Sequence, residues 1–150
     1  MEYEYSYKVD DLKEFLDYIN SNYEFIKKYK EKRVIYRNND TIARITFIDD
    51  DMYLDFKENK ISDDPLIVRK ESKQVKIDNL ENCEDILSFL NYKKDNTLLR
   101  YRSIYEKNNI KFEIDEYIEP NHAYVVSFEG DKEICDSVNE DIKMLLKKEI

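Results

Sequence analysis

Residues 1–9 read MEYEYSYKV, and this stretch decides the fold because its polar and aromatic residues alternate without a break. Successive side chains of a β-strand point to opposite faces, so Glu2 and Glu4 share one face and the tyrosines share the other. The aromatic face requires a hydrophobic core. The two carboxylates lie about 7 Å apart along the strand, which is close enough to share a hard cation.

The composition predicts one folded domain over residues 1–150. The 13 tyrosines and 7 phenylalanines argue against disorder. One glycine and two prolines are very few for a loop-rich fold, so the segments should be long and regular. The net charge of −9 argues against a general nucleic-acid-binding protein, which would normally be basic.

The two cysteines, Cys83 and Cys135, have the spacing of neither a metal site nor a disulfide framework. We interpret both as small buried residues of a protein in a reducing compartment, and we expect a cytoplasmic location. No apolar run approaches the roughly 18 residues of a membrane-spanning helix, so we expect no membrane partner.

The hydrophobic periodicity predicts eight strands and three helices. The helices should follow the first strand, the fifth strand and the last strand. Hairpin turns dominate, so the class should be α+β, with a mostly antiparallel, closed or nearly closed barrel flanked by the helices. The strands are predicted at residues 1–9, 31–37 (with an open start), 41–48, 52–59, 66–77, 97–106, 110–118 and 123–129.

Most of these strands carry charges of both signs on one face and apolar residues on the other. An ordinary half-buried sheet with its outer face in water explains this pattern. A barrel with helices outside and a charged, wet interior also explains it. Such an interior would hold Mg²⁺ or Mn²⁺ on Glu2, Glu4 and another carboxylate. It would hold a phosphate-rich anion on cationic side chains, for which the candidates are Arg44, Lys57, Arg69, Arg100 and Arg102.

These strands resemble the CYTH domain, the triphosphate tunnel metalloenzymes, which include thiamine triphosphatases, inorganic tripolyphosphatases and class IV adenylyl cyclases. The family opens with an ExExK strand, and residues 2–6 fall at that place. Its LRxR strand is similar to residues 43–46. Its later motifs resemble residues 54–57, 68–71, 100–103, 113–116 and 127–130.

The resemblance implies an eight-stranded antiparallel tunnel in which a phosphoryl group is attacked with the help of Mg²⁺ or Mn²⁺. The metal ligands that it implies are Glu2, Glu4, Asp115 and Glu129. The triphosphate-binding residues that it implies are Arg44, Lys57, Arg69, Arg100 and Arg102, with Lys57 and Arg102 also taking part in catalysis.

Three positions depart from the family motifs. Ser6 stands for the lysine of ExExK, Thr46 for the second arginine of LRxR, and Ser127 for the first glutamate of the closing ExE. We predict a metal-dependent phosphohydrolase that acts on tripolyphosphate, thiamine triphosphate or a nucleoside triphosphate. The alternatives are a catalytically weakened or inactive triphosphate-binding module, a class IV-type adenylyl cyclase, and an RNA 5′-triphosphatase. The predicted partner is thus a small anionic triphosphate, and we expect no nucleic-acid partner except an RNA 5′ end.

Overall fold

The computed structural model describes residues 2–59 and 65–146, with side chains for all of these except residues 2 and 67–69. The strands are β1 (Glu2–Val9), β2 (Glu24–Arg37), β3 (Thr41–Ile48), β4 (Asp51–Glu58), β5 (Leu66–Arg69), β6 (Val75–Ile77), β7 (Lys93–Lys107), β8 (Ile110–Glu119) and β9 (Ala123–Gly130). The helices are α1 (Lys13–Asn22), α2 (Leu80–Phe89) and α3 (Lys132–Leu146).

All strands join one antiparallel sheet in the order β5-β1-β9-β8-β7-β2-β3-β4-β6, which curls into a nearly closed barrel. The predicted strand at residues 66–77 explains the near closure. Its first part, β5, pairs with β1, and its last part, β6, pairs with β4. Between them, the amide of Glu58 donates to the carbonyl of Lys70 at 3.0 Å, and the amide of Ser72 donates to the carbonyl of Phe56 at 2.8 Å. The predicted α+β barrel is confirmed, with nine strands in the described residues because this segment forms two.

The second strand starts earlier than the predicted residue 31. It begins at Glu24, because β2 pairs with β7 from Glu24 opposite Glu106 to Arg37 opposite Lys93. The lysine-rich residues that precede Glu31 are therefore strand, although their composition also suits a helix. This long pairing also explains why β7 begins at Lys93, four residues before the predicted start.

The helices cover the outer face of the barrel. Phe15 and Ile19 of α1 and Ile142 of α3 belong to one buried cluster with residues of β1, β8 and β9. Cys83 and Leu87 of α2 belong to a second cluster with residues of β2 and β3. No helix in the described part of the chain is long and apolar enough to cross a membrane. Because the outer face is apolar and side chains alternate along a strand, the polar residues of the sheet point inward.

The tyrosine row of β1 belongs to this outer face. The hydroxyl of Tyr5 donates to the carboxylate of Asp136 on α3 at 2.7 Å, and the hydroxyl of Tyr7 donates to the side chain of Asn139. The ring of Tyr5 also stacks on Phe128 with the centroids 5.3 Å apart. The tyrosines therefore fix α3 to β1, and Glu4 and Ser6 are left on the inner face.

Candidate functional site

A cavity of about 750 Å³ occupies the interior of the barrel. Side chains from β1, β2, β3, β4, β7, β8 and β9 line it. Seven cationic side chains and eight carboxylates belong to its described lining. Since these opposite charges almost balance, the arrangement of the charges matters more than their sum.

Three carboxylates meet at one place in this cavity. One oxygen each from Glu4 on β1, Glu113 on β8 and Glu129 on β9 lies within 4.8 Å of the others. The sheet register causes this convergence, because Glu4 stands directly opposite Glu129, and Glu113 stands opposite Ser127, two residues away. We call these three residues the carboxylate triad. Hard divalent cations bind such sets of oxygen ligands.

Cations beside the triad favour the ionised form of Glu113. The Lys111 ammonium lies 3.4 Å from Glu113 and 3.9 Å from Glu129. Burial works against the ionised form of Glu113, but Arg102 and Lys111 outweigh it and hold the pKa of Glu113 below its ordinary value. Glu113 therefore offers negatively charged oxygens to the triad at neutral pH.

Arg102 connects the triad to the centre of the cavity. Its Nη1 donates to Glu113 Oε2 at 3.1 Å, while its Nε and Nη2 donate to the two oxygens of Asp115 at 2.8 and 2.9 Å. This planar, bidentate geometry fixes the guanidinium group. Burial favours the neutral form of Arg102, but Asp115 and Glu113 outweigh it and raise the pKa of Arg102 well above its ordinary value.

The same alternation of charge continues away from the triad. Arg100 Nη1 lies 3.5 Å from Asp115, and Arg100 Nε donates to Glu31 Oε1 at 2.8 Å. Glu31 Oε1 in turn lies 3.5 Å from Arg33 Nη2. We call Arg102, Asp115, Arg100, Glu31 and Arg33 the charge ladder. All of its members line the cavity, so the ladder holds guanidinium groups in fixed positions along the tunnel wall.

A separate ion pair lies on β3 and β4. Arg44 Nε and Nη2 donate to the two carboxylate oxygens of Asp55 at 2.9 and 2.5 Å, and both residues are buried. Glu71 lies 3.7 Å from Arg44 Nη2. Arg44 is thus held in the same manner as Arg102, but by its own pair of carboxylates.

The structure brings most of the predicted metal ligands into the cavity, but in two different environments. Glu4 and Glu129 meet in the carboxylate triad, whose third member is Glu113. Asp115 instead accepts both of its short hydrogen bonds from Arg102 within the charge ladder. The side chain of Glu2 lies outside those that the structure describes.

The predicted anion-binding residues also line the cavity, namely Arg44, Lys57, Arg100 and Arg102. Lys57 lies on β4, where its backbone forms an isolated bridge with Glu71. The side chain of Arg69 is not among those that the structure describes. Its backbone stands opposite Glu2 in the β1–β5 pair.

Two of the departures from the family motifs are neighbours in the sheet. Ser6 stands directly opposite Ser127, and their hydroxyl oxygens lie 3.0 Å apart in a hydrogen bond. A lysine and a glutamate at these positions would be an ion pair, so the two serines replace one charge pair by one neutral pair. The third departure, Thr46, accepts a hydrogen bond from Arg33 Nε at 3.0 Å.

Four charged residues of the cavity were not predicted from the sequence, namely Glu31, Arg33, Lys111 and Glu113. Glu31 and Arg33 lie on β2, whose start was ambiguous, so the inner face of that strand was undefined. Glu113 shared a predicted face with Asp115 two residues away, and alternation alone does not choose between two residues on the same face.

Glu31→Gln is expected to reduce the dependence of the unfolding free energy on acidic pH. Burial opposes the charge on Glu31, but Arg33 and Arg100 outweigh it and hold its pKa below the ordinary value. Its carboxylate therefore stabilises the fold above the unfolded pKa, and this contribution is lost as the pH falls through the folded pKa. In urea titrations, the difference in unfolding free energy between the wild type and the variant should become smaller below about pH 5. A difference that is constant with pH contradicts this expectation.

Comparisons with known proteins agree with this architecture. No family model matches the sequence. A curated protein of Methanocaldococcus jannaschii named "Putative adenylate cyclase MJ0240" is 27% identical over 97% of this chain and 83% of its own length. A conserved hypothetical protein of Pyrococcus furiosus superposes with a TM-score of 0.76 at 23% identity, covering 97% of this chain and 90% of the other.

A Hippeastrum protein described as a candidate adenylyl cyclase with a dominant triphosphatase activity superposes with a TM-score of 0.73 at 13% identity. The match covers 96% of this chain and 87% of the other. At these identities the solved structures establish the fold alone. The chain is an antiparallel tunnel protein with a charged interior. Its fold, its motifs and its similarity to the M. jannaschii protein fit the CYTH family of triphosphate tunnel proteins.

Proposed function

We propose that this protein is a divalent-metal-dependent phosphohydrolase that cleaves a short triphosphate inside its tunnel. The observation that carries the proposal is the position of the carboxylate triad next to the charge ladder, joined by the contact of Arg102 with Glu113 at 3.1 Å. A metal-binding set and a phosphate-binding set therefore share one cavity. The substrate class comprises tripolyphosphate, thiamine triphosphate and nucleoside triphosphates.

The donor chemistry of the triad suits Mg²⁺ or Mn²⁺, because all three ligands are carboxylate oxygens. Glu4, Glu113 and Glu129 would hold the ion, and Glu2 stays a predicted fourth ligand. A bound divalent cation would neutralise phosphate charge and polarise a phosphoryl oxygen. The nearly balanced charges of the cavity lining support a requirement for a metal ion. A lining whose own charges cancel attracts a polyanion only weakly.

The protein itself would mainly orient the substrate. Phosphate oxygens would be bound by the predicted cations Arg44, Lys57, Arg69, Arg100 and Arg102. Arg100 and Arg102 are already held by buried carboxylates, so little reorganisation is needed when charge develops on the phosphoryl group. Lys57 and Arg102 remain the proposed catalytic cations. The triphosphatase activity described for the Hippeastrum protein supports this reaction class.

The test is phosphate release from tripolyphosphate, thiamine triphosphate and ATP with Mg²⁺ or Mn²⁺, each compared with a reaction containing EDTA. We expect release from at least one substrate, dependent on the metal. The absence of release from every substrate with either metal contradicts the proposal. Tight binding of a triphosphate, measured by calorimetry, without phosphate release would support the triphosphate-binding alternative. That alternative is suggested by the uncharged residues at three motif positions, Ser6, Thr46 and Ser127.

A second candidate is a class IV-type adenylyl cyclase, favoured by the name of the M. jannaschii relative. The same tunnel would then bind ATP, and the ribose hydroxyl would attack the α-phosphate in place of water. Chromatography of the ATP reaction separates the two functions. Cyclic AMP with pyrophosphate identifies a cyclase, whereas ADP with phosphate identifies a hydrolase.

A further inference from the structure

Arg33 differs from the other arginines that line the described part of the cavity. Arg44, Arg100 and Arg102 each donate a hydrogen bond to a carboxylate at 2.9 Å or less. Arg33 donates a hydrogen bond only to the neutral hydroxyl of Thr46 among the described residues. Among the described side chains its nearest carboxylate oxygen is Glu31 Oε1 at 3.5 Å, and this same oxygen already accepts from Arg100.

The electrostatic surroundings of Arg33 favour an anion. Its side chain is 10% exposed. Burial, followed by the neighbouring Arg100, lowers the pKa of Arg33 to about 10, although Glu31 acts in the opposite direction. Arg44 and Arg102 add further positive charge. A buried guanidinium among other guanidiniums, with one distant and shared carboxylate, is incompletely compensated.

Arg33 lies beside the position at which the LRxR motif would carry its second arginine. Arg33 on β2 stands directly opposite Thr46 on β3, and Thr46 is where the LRxR motif would carry its second arginine. The hydrogen bond between the two side chains places the Arg33 guanidinium group beside that position. Arg33 also lines the cavity, and a guanidinium group has five N–H donors, of which only the Nε–H is donated to a described side chain.

We propose that Arg33 forms an oxyanion site at the end of the charge ladder, where it binds a phosphate group of the ligand and replaces the arginine that is absent at position 46. The inference rests on the proposed function, because the ligand is taken to be a triphosphate. It adds a binding residue on β2, a strand to which neither the motifs nor the comparisons assign one.

The test measures the dissociation constant of tripolyphosphate by calorimetry, with and without Mg²⁺, for the wild type and three variants. Arg33→Gln removes the charge, Arg33→Lys keeps the charge but loses the planar fork, and Lys30→Gln is the control. Lys30 lies on the same strand but is exposed on the outer face. Since a hydrogen bond to a charged group contributes about 1.5–3 kcal/mol, Arg33→Gln should weaken binding about ten- to hundredfold. Arg33→Lys should have an intermediate effect, and Lys30→Gln should have none.

The exchanged variant Arg33→Thr with Thr46→Arg gives a positive test. It moves the guanidinium group to the opposite strand, so it should recover most of the binding that Arg33→Thr alone loses. Circular dichroism and the melting temperature establish that each variant is folded. If Arg33→Gln does not fold, Arg33→Lys carries the test, and a wild-type affinity in Arg33→Lys then overturns the proposal.

The outcomes separate this inference from the proposed function. Arg33-dependent binding of tripolyphosphate, without phosphate release from any of the three substrates, supports the oxyanion site and contradicts the hydrolase. Metal-dependent release with unchanged affinity in Arg33→Gln supports the hydrolase and overturns the oxyanion site. No binding of tripolyphosphate to the wild-type protein overturns the oxyanion site, whereas the hydrolase is overturned only if no phosphate is released from tripolyphosphate, thiamine triphosphate or ATP.

Discussion

Glu113→Gln is expected to weaken Mn²⁺ binding by about a hundredfold or more, and to abolish metal-dependent phosphate release. Loss of a residue that only supports a metal ligand typically costs ten- to hundredfold in affinity, and a direct ligand should cost at least as much. Glutamine keeps the shape of the side chain but removes its charge, so the triad would retain two carboxylates, Glu4 and Glu129. Titration of Mn²⁺, followed by calorimetry or by the electron paramagnetic resonance signal of the free ion, measures the affinity directly.

The matched control is Glu119→Gln, which removes an exposed carboxylate from the same strand. It should leave both Mn²⁺ affinity and turnover unchanged. Asp115→Asn provides a sharper contrast, because the sequence resemblance implies Asp115 as the ligand and the geometry favours Glu113. We expect Asp115→Asn to lower the stability more than the metal affinity. If Asp115→Asn removes Mn²⁺ binding and Glu113→Gln does not, the assignment of the triad is wrong.

The inner and outer faces of the barrel follow from alternation in the sequence. In β1 the tyrosines pack under α3 while Glu4 faces the cavity, because a strand has only two faces and the larger apolar surface is buried. The same argument placed Arg100 and Arg102 together on β7. The local sequence pattern was therefore sufficient to assign the inner and outer faces of a strand wherever the strand was recognised and one of its faces was clearly apolar.

The parts that could not be predicted depend on how the strands are paired. Residues 24–30 of β2 become strand through their long pairing with β7, and this pairing is not visible in their lysine-rich composition. The strand register also determines whether Glu113 or Asp115 belongs to the carboxylate triad. Glu113 stands opposite Ser127, next to Glu129, whereas Asp115 stands opposite Val125 and beside Arg102. Neighbours on adjacent strands thus select which of two carboxylates on one face joins the triad.

Arg100→Met is expected to destabilise the protein by about 3–5 kcal/mol, because it leaves buried carboxylates without their cation. Glu31 and Asp115 are both buried, and both contact Arg100. Asp115 keeps Arg102, but among the described side chains Glu31 keeps only the 3.5 Å contact with Arg33. Urea unfolding followed by circular dichroism measures the change, and the control Lys30→Met on the outer face should change stability by no more than about 0.5 kcal/mol.

The double variant Arg100→Met with Glu31→Gln tests the cause of this loss. If the cost arises from an uncompensated carboxylate, neutralising Glu31 should recover part of the stability, although Arg100→Met alone is strongly destabilising. If the stability losses of the two single substitutions simply add in the double variant, Arg100 contributes through packing instead. Recovery would mean that the charge ladder is stable only as a complete set, so its carboxylates hold the arginines in place and reduce the reorganisation that phosphate binding requires.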